Sequence, residues 1–233
     1  MRALTIIPAR GGSRGIPRKN LAPIAGHPLI RFTIEAALAA GVNGRVCLST
    51  DDEAIADYGR QFAIEVPFLR PASLATDTAD TMSVVRHCLD WYATQEDFQP
   101  DAVILLQPTT PFRTAADVTA AWEQFQRSGR QSLIAVNLVD RHPCEYIVDR
   151  GDRFDFVMTP PATPGRQAFP EVLFINGAIY ITAVGMVRDA GQFFDDRAAL
   201  YRMAADRSLD IDEPVHLDLA HVVFQRQHLP WAK

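Results

Sequence analysis

The chain has 233 residues and a net charge of −5, and 48% of its residues are hydrophobic while 22% are charged. These values are ordinary for a globular protein, and the acidic balance excludes a general nucleic-acid binder. Three widely spaced cysteines, no long apolar run and a first strand that begins directly after Met1-Arg2 predict a cytoplasmic protein with no signal peptide, zinc site or membrane partner.

A buried first strand is predicted over residues 3–7, and residues 10–20 follow it as a basic, glycine-rich loop. The loop holds four Arg or Lys, three Gly and no acid. Glycines allow a tight turn whose N–H groups face an anion, and Arg and Lys bind phosphate oxygens. The spacing fits neither the P-loop nor the dinucleotide fingerprint. The loop therefore indicates a triphosphate cradle, with a solvated basic loop as the alternative.

Strands and helices then alternate along the chain, which predicts a parallel sheet covered on both faces. The period of the apolar residues and the capping signals predict helices over 29–40, 51–62, 82–92, 114–126 and 214–227. Further strands are predicted over 45–49, 63–69, 101–106, 132–139, 174–182 and 200–205. Residues 74–81 are polar and predict a surface loop.

The alternation is interrupted between residues 140 and 170. Residues 146–148 and 154–158 flank Arg150-Gly151-Asp152 and predict a hairpin, and a proline-rich coil follows over 159–165. The sequence thus predicts a catalytic domain over 1–139 and 171–233 with an inserted arm over 140–170. Such an arm is a common way to build a dimer, and a long surface flap is the alternative.

Polar residues follow several of the predicted strands, where an open parallel sheet binds its ligands. Gln107 both donates and accepts hydrogen bonds, so it can recognise a base or a sugar, or it can simply end a strand. Asp210 and Asp212 lie two apart in an extended segment, point the same way and suit Mg²⁺. Helix capping is the other role open to Asp212. Together with the cationic loop, the carboxylates predict nucleotidyl transfer from a nucleoside triphosphate.

These motifs resemble those of the acylneuraminate cytidylyltransferases, which make CMP-sialic acid. The resemblance follows the chain in order, through residues 10–20, 49–51, 70–71, 105–113, 176–180 and 210–212. It implies a Rossmann-like, three-layer α/β nucleotidyltransferase fold with a mostly parallel sheet, and a homodimer built by the arm. The implied reaction is Mg²⁺-dependent transfer of CMP from CTP to the anomeric hydroxyl of an acidic nine-carbon sugar, with release of pyrophosphate.

The resemblance also implies roles for individual residues. The residues implied to be catalytic are Arg10, Lys19 and Asp212. Those implied to bind the nucleotide are Ala9, Arg10, Gly11, Gly12, Ser13, Lys19, Asn20, Arg70 and Ser83. The sugar would contact Gln107, Arg166, Asn176 and Tyr180, and the metal would bind Asp210 and Asp212.

One position departs from the pattern of the family. Phe174 stands where sialic acid enzymes often carry a basic residue, so legionaminic or pseudaminic acid is an alternative acceptor to N-acetylneuraminic acid. The sequence is also compatible with GTP in place of CTP, with a Kdo-like acidic sugar as the acceptor, and with a catalytically silent nucleotide-binding regulatory protein.

Overall fold

The computed structural model describes residues 1–13, 15–162 and 165–227, and it describes Arg166 by its backbone alone. Arg14 of the basic loop, part of the coil predicted over 159–165 and the side chain of Arg166 therefore lie outside the described residues. Along the described residues, none of the helices has the length and apolar character needed to cross a bilayer.

The helices and strands follow the predicted order closely. The helices are α1 (Leu29–Ala39), α2 (Glu53–Gly59), α3 (Thr81–Gln95), α4 (Ala115–Ser128), α5 (Val184–Asp189) and α6 (Pro214–Arg226). The strands are β1 (Ala3–Pro8), β2 (Pro23–Ile24), β3 (His27–Pro28), β4 (Gly44–Ser49), β5 (Ala102–Leu105), β6 (Ser132–Leu138), β7 (Ile147–Asp149), β8 (Phe154–Phe156), β9 (Leu173–Ala183) and β10 (Ala199–Arg202). The short helix α5 was not predicted.

One predicted strand is wrong. Residues 63–69 form only two isolated bridges to β4 and its extension, from Glu65 to Cys47 and from Leu69 to Thr50. Pro67 lies between the two bridges and has no N–H to donate, so a continuous ladder cannot form there.

The main sheet has six strands in the order β10-β6-β9-β5-β1-β4. Strands β1, β4 and β5 are mutually parallel, and β10 is parallel to β6. Strand β9 runs antiparallel to both of its neighbours, β5 and β6. The mostly parallel sheet is thus confirmed. Because β9 is reversed, its beginning lies at the edge where the parallel strands end.

Helices cover both faces of this sheet and give the predicted three layers. Alternating residues of β1 point to opposite faces: Ala3 and Ile7 pack with α1, α2 and α4, whereas Leu4 and Ile6 pack with α3 and α5. A third apolar cluster joins the basic loop to the segment before α6 through residues that include Ile16, Phe112 and Ile211. This cluster brings the two ends of the chain to the same edge of the sheet.

The arm contains the predicted hairpin. Strands β7 and β8 pair antiparallel, with Ile147 opposite Phe156 and Asp149 opposite Phe154, and Gly151 turns between them with a φ of 90°. Its role in a dimer stays a prediction.

Candidate functional site

The basic loop after β1 is fixed at its base by three hydrogen bonds. The Ala9 N–H donates to the Ser49 carbonyl at 2.9 Å, and the Gly11 N–H donates to a carboxylate oxygen of Asp51 at 3.1 Å. The buried Asn20 amide donates to the Arg10 carbonyl at 2.9 Å. Ala9, Gly11 and Asn20 therefore shape the loop.

The middle of the loop closes on itself through Ser13. Its hydroxyl donates to the Ile16 carbonyl and accepts from the Lys19 N–H, whose nitrogen is 3.2 Å away. Gly15 lies directly against the Asp212 carbonyl, so a Cβ there would collide with the backbone. No described atom lies within 4 Å of where a Cβ on Gly12 would be. The loop thus packs against the carboxylate segment at Gly15 and is open among the described residues at Gly12.

A cavity of 590 Å³ opens at the carboxyl edge of the parallel strands, where it was expected. Eight of the predicted site residues line it, namely Arg10, Gly12, Ser13, Lys19, Asn20, Arg70, Gln107 and Asp212. Its lining also includes Leu74, Thr76, Asp77, Ala79, Thr81, Val84, Thr109 and Glu213. Loop 74–81, predicted as a surface loop, is therefore also a wall of this cavity.

Two arginines of the cavity are held by acids. Arg10 donates to the Asp77 carboxylate at 2.9 Å and to the Thr76 carbonyl at 3.2 Å. Arg70, whose side chain is 4% exposed, lies 3.3 Å from Asp51. Burial lowers the pKa of Arg70, while the charge of Asp51 opposes that shift. Asp51 thus holds both a loop N–H and a cavity guanidinium.

Lys19 joins the loop to the far end of the chain. Its ammonium lies 3.0 Å from a carboxylate oxygen of Asp212, 193 residues away, and it donates to the Ile211 carbonyl at 2.8 Å. The side chain of Lys19 is 14% exposed, and that of Asp212 is 64% exposed. The cation predicted to bind phosphate and the acid predicted to bind metal therefore meet at the cavity wall.

Asp210 is the more buried of the two predicted metal ligands. Its Oδ1 has no hydrogen-bond partner within the described part of the chain. Burial raises the pKa of Asp210 and the neighbouring Asp212 carboxylate adds to the rise, while Thr109 and Lys19 oppose it. A buried, unpartnered carboxylate oxygen beside a second carboxylate fits a hard divalent cation. No group of three or more His, Cys, Asp or Glu suited to a metal occurs among the described residues.

The capping alternative for Asp212 is wrong, because Glu213 is the N-cap residue of α6. The N–H groups of Asp212 and Glu213 donate to Nδ1 of His216 at 3.1 and 3.2 Å. His216 thus fixes the backbone at Asp212 and leaves its carboxylate to face Lys19.

Gln107 is set on a rigid turn. Gly177, with a φ of 73°, passes so close that a Cβ there would lie 2.8 Å from Gln107 Oε1. The fully buried Arg113 donates to the Gln107 carbonyl, and it also donates to Thr33 Oγ1 at 2.7 Å. Burial lowers the pKa of Arg113 to about 9, against the effects of Asp117 and Asp210. This support by Arg113 was not predicted.

Of the other predicted site residues, Ala9, Gly11, Ser83, Asn176, Tyr180 and Asp210 lie outside the lining of this cavity, and Asp210 lines a separate cavity of 330 Å³ with Ser208 and Phe174. The Asn176 amide donates to the Ser208 hydroxyl at 2.9 Å and accepts from the Ala178 N–H, so it ties β9 to the segment before Asp210. The Tyr180 ring packs 6.0 and 6.2 Å from the rings of Phe193 and Phe194. The Ser83 N–H donates to the Asp80 carboxylate that caps α3, and this helix lines the cavity with Thr81 and Val84.

Residues 4–150 match the family model described as cytidylyltransferase. The CMP-N,N'-diacetyllegionaminic acid synthase of Legionella pneumophila is 34% identical over 221 residues, which cover 92% of this chain and 93% of that protein. The N-acylneuraminate cytidylyltransferase of Streptococcus agalactiae serotype III is 31% identical over 96% of this chain, which spans 53% of that longer protein. The solved structure of CMP:2-keto-3-deoxy-manno-octonic acid synthetase complexed with CTP has a similar fold, with a TM-score of 0.72 at 17% identity, covering 97% of this chain and 99% of that one.

Proposed function

The chain belongs to the cytidylyltransferase family, and we propose that it transfers CMP from CTP to the anomeric hydroxyl of a nonulosonic acid with release of pyrophosphate. One observation carries the proposal: a single cavity is lined by the cations of the basic loop and by the carboxylate of Asp212. A triphosphate needs the first group, and a divalent metal bound to that triphosphate needs the second.

In this proposal the basic loop holds the triphosphate of CTP. Arg10 and Lys19 reach the phosphate oxygens, and the open side of the loop at Gly12 allows close approach of the phosphates. Arg70, fixed by Asp51, lies at the nucleotide. Because both arginines are already oriented by carboxylates, they bind charge with little reorganisation when the nucleotide enters.

Asp210 and Asp212 are the proposed ligands of a divalent metal, Mg²⁺. Phosphate oxygens and water would supply its other ligands, because no group of three or more His, Cys, Asp or Glu suited to a metal occurs among the described residues. When bound, the metal would stabilise negative charge on the α-phosphate and on the leaving pyrophosphate. The sugar hydroxyl oxygen attacks the α-phosphorus and forms the new P–O bond, its proton passes to water, and the bond between the α-phosphorus and pyrophosphate breaks.

The acceptor is proposed to bind beyond Gln107, towards Tyr180, Asn176 and Arg166. A legionaminic-type acid is the first choice, because the relative with that name matches this chain over nearly its whole length. Phe174, which is exposed, agrees with an acceptor other than N-acetylneuraminic acid.

The deciding experiment measures pyrophosphate release with CTP, Mg²⁺ and a panel of legionaminic, pseudaminic and N-acetylneuraminic acids and Kdo. Release with one acceptor and CTP, and none with GTP, is expected. Asp212→Ala should lower turnover by about 100-fold or more, since metal stabilisation of the transition state is worth several kcal/mol. The matched control is Asp218→Ala, which removes another exposed acid, close in sequence to Asp212 but on α6. Absence of release with every acceptor would refute the proposal.

A further inference from the structure

A half-buried ion pair outside the cavity, with the Arg207 side chain 31% exposed, links α4 to the residues just before the two carboxylates. Asp117 is 3% exposed, and the Arg207 guanidinium binds it with both Nε, at 2.9 Å, and a terminal nitrogen, at 3.1 Å. Two parallel hydrogen bonds of this kind fix the orientation of both groups. Arg207 is followed directly by Ser208, where the extended segment that carries Asp210 and Asp212 begins.

The helix does not need Arg207 for its cap. The Asp117 carboxylate already accepts from the Thr114 N–H at 2.9 Å, and the Asp117 N–H donates to Thr114 Oγ1 at 3.1 Å, so these two bonds form the capping box of α4 without Arg207. The Tyr201 hydroxyl adds a further bond at 3.0 Å. Bringing the Arg207 guanidinium partly out of water against Asp117 carries a desolvation cost, so this ion pair is weak evidence for a role in stability alone.

The segment after Arg207 is held at two further points. Ser208 accepts from the buried Asn176 amide at 2.9 Å, and the Ile211 N–H donates to the Thr109 carbonyl at 2.7 Å. Ile211 itself is fully buried. Asp210 lies between these two points, with its Oδ1 buried and unpartnered within the described residues.

Asp117 and Asp210 also act on a common neighbour. Burial lowers the pKa of Arg113, and the negative charges of Asp117 and Asp210 both oppose that shift. The ion pair and the Asp210 carboxylate therefore share this buried guanidinium as an electrostatic neighbour.

From this geometry we propose that Asp117 and Arg207 are positioning residues for the metal site, which set the direction of the Asp210 and Asp212 carboxylates. This inference rests on the proposed function, because it concerns the metal site assigned there. Partners that orient metal ligands from behind typically change metal affinity about 10- to 100-fold when they are removed.

The test uses Mn²⁺ alone as the probe and the nucleotide-free full chain. In Arg207→Met, the dissociation constant for Mn²⁺ in electron paramagnetic resonance titrations should rise about tenfold. The Mg²⁺ concentration for half-maximal activity should rise by a similar factor. The KM for CTP at saturating Mg²⁺ should stay within about twofold, because the described cations of the loop pair with Asp77, Asp52 and Asp212 and not with the Asp117–Arg207 ion pair. Arg207→Lys keeps the positive charge but cannot make two parallel hydrogen bonds to the carboxylate. Its dissociation constant for Mn²⁺ should therefore lie between those of the wild type and Arg207→Met.

The matched control is Glu171→Gln, which removes an exposed two-point ion pair with Arg202 of β10 and should leave Mn²⁺ binding unchanged. Wild-type Mn²⁺ affinity in Arg207→Met, or an equal loss of CTP and metal binding, would overturn the inference. If Arg207→Met fails to fold, Arg207→Lys is tested instead, and the same comparison decides: weaker Mn²⁺ binding with an unchanged KM for CTP supports the inference. Absence of turnover in the wild-type protein would refute the proposed function alone, since Mn²⁺ binding is measured without it.

Discussion

At the scale of single residues, Lys19 has the most consequential contact in the cavity. Its ammonium lies 3.0 Å from the Asp212 carboxylate and is mostly buried. The same carboxylate is the proposed metal ligand, and the same ammonium is the proposed phosphate ligand. Before the nucleotide binds, the Lys19 ammonium therefore pairs with the carboxylate that would otherwise bind a metal. When the nucleotide enters, its triphosphate oxygens compete with Asp212 for the same ammonium.

This competition predicts opposite effects of Lys19→Met on the two ligands. CTP affinity, measured by calorimetry, should fall about tenfold or more, since a charge-assisted bond to phosphate is lost. Mn²⁺ affinity of the nucleotide-free protein should rise a few-fold, because a positive charge beside the metal ligand has been removed. Arg60→Met, which removes a cation from the exposed ion pairs of α2, is the control and should change neither. Weaker Mn²⁺ binding in Lys19→Met would contradict this account.

At the scale of elements, the basic loop and the carboxylate segment are in direct backbone contact. Gly15 lies against the Asp212 carbonyl, so any side chain there must push the two segments apart. Gly12, three residues earlier in the same loop, has nothing within 4 Å of where its Cβ would be. Alanine substitutions at the two positions therefore distinguish two effects on stability. Gly15→Ala introduces a steric clash, whereas Gly12→Ala only replaces a glycine.

We expect Gly15→Ala to lower the free energy of unfolding by about 1–3 kcal/mol, the usual cost of overpacking. Gly12→Ala should leave it unchanged or raise it by about 0.4–1 kcal/mol, because alanine restricts the unfolded chain. Urea denaturation of both variants measures the difference. Equal stabilities would mean that the loop and the segment before α6 do not pack as tightly as this contact requires.

Local sequence signals predicted the elements well wherever they act within one element. Thr114 begins a helix whose capping box includes Asp117, and both are near neighbours in the sequence. The strand predicted over 63–69 fails because Pro67 outweighs the apolar pattern. The direction of β9 could not be read from its residues, since apolar alternation is the same for a parallel and an antiparallel strand.

The cavity residues that were predicted are those that lie in local sequence motifs. The loop and the carboxylates are dense local motifs, so Arg10, Lys19 and Asp212 were found and do line one cavity. Asp77, which pairs with Arg10, is 67 residues away from it, and only the fold determines that contact. Asn176, whose contact with the sugar stays a prediction, donates its amide to Ser208, and a motif gives the position of a residue but not this partner of its side chain.

At the scale of the whole molecule, positive and negative charges are concentrated in different parts of the sequence and pair with one another in the fold. Residues 1–34 contain six Arg or Lys and no acid, so the other residues carry a net −11, which is −5 minus +6. The described cations of the basic loop each pair with an acid from a later segment: Arg10 with Asp77, Arg18 with Asp52 and Lys19 with Asp212. The cradle for the triphosphate is thus held in shape by acids from three separate parts of the chain.

Several apolar residues of the arm lack cover among the described residues, as do some on α6. Apolar side chains that are at least half exposed lie on or beside its hairpin, including Tyr146 at 51%, Ile147 at 55% and Phe154 at 54%. A two-stranded hairpin is marginal in water without a third element to cover it. A second copy of this chain would cover it, which agrees with the homodimer predicted from the sequence.

If the arm builds a homodimer, Phe154→Ser should weaken it. A buried Phe contributes about 1.5–3 kcal/mol, so the dimer dissociation constant should rise at least about tenfold, as measured by sedimentation equilibrium. Val215→Ser is the matched control, because it removes an equally exposed apolar side chain from α6, outside the arm. A wild-type chain that sediments as a monomer at micromolar concentration, or equal dissociation constants for the two variants, would leave the arm as a surface flap. Dissociation by Phe154→Ser alone would show that the insertion after β6 is an assembly element, distinct from the sheet edge that binds the nucleotide.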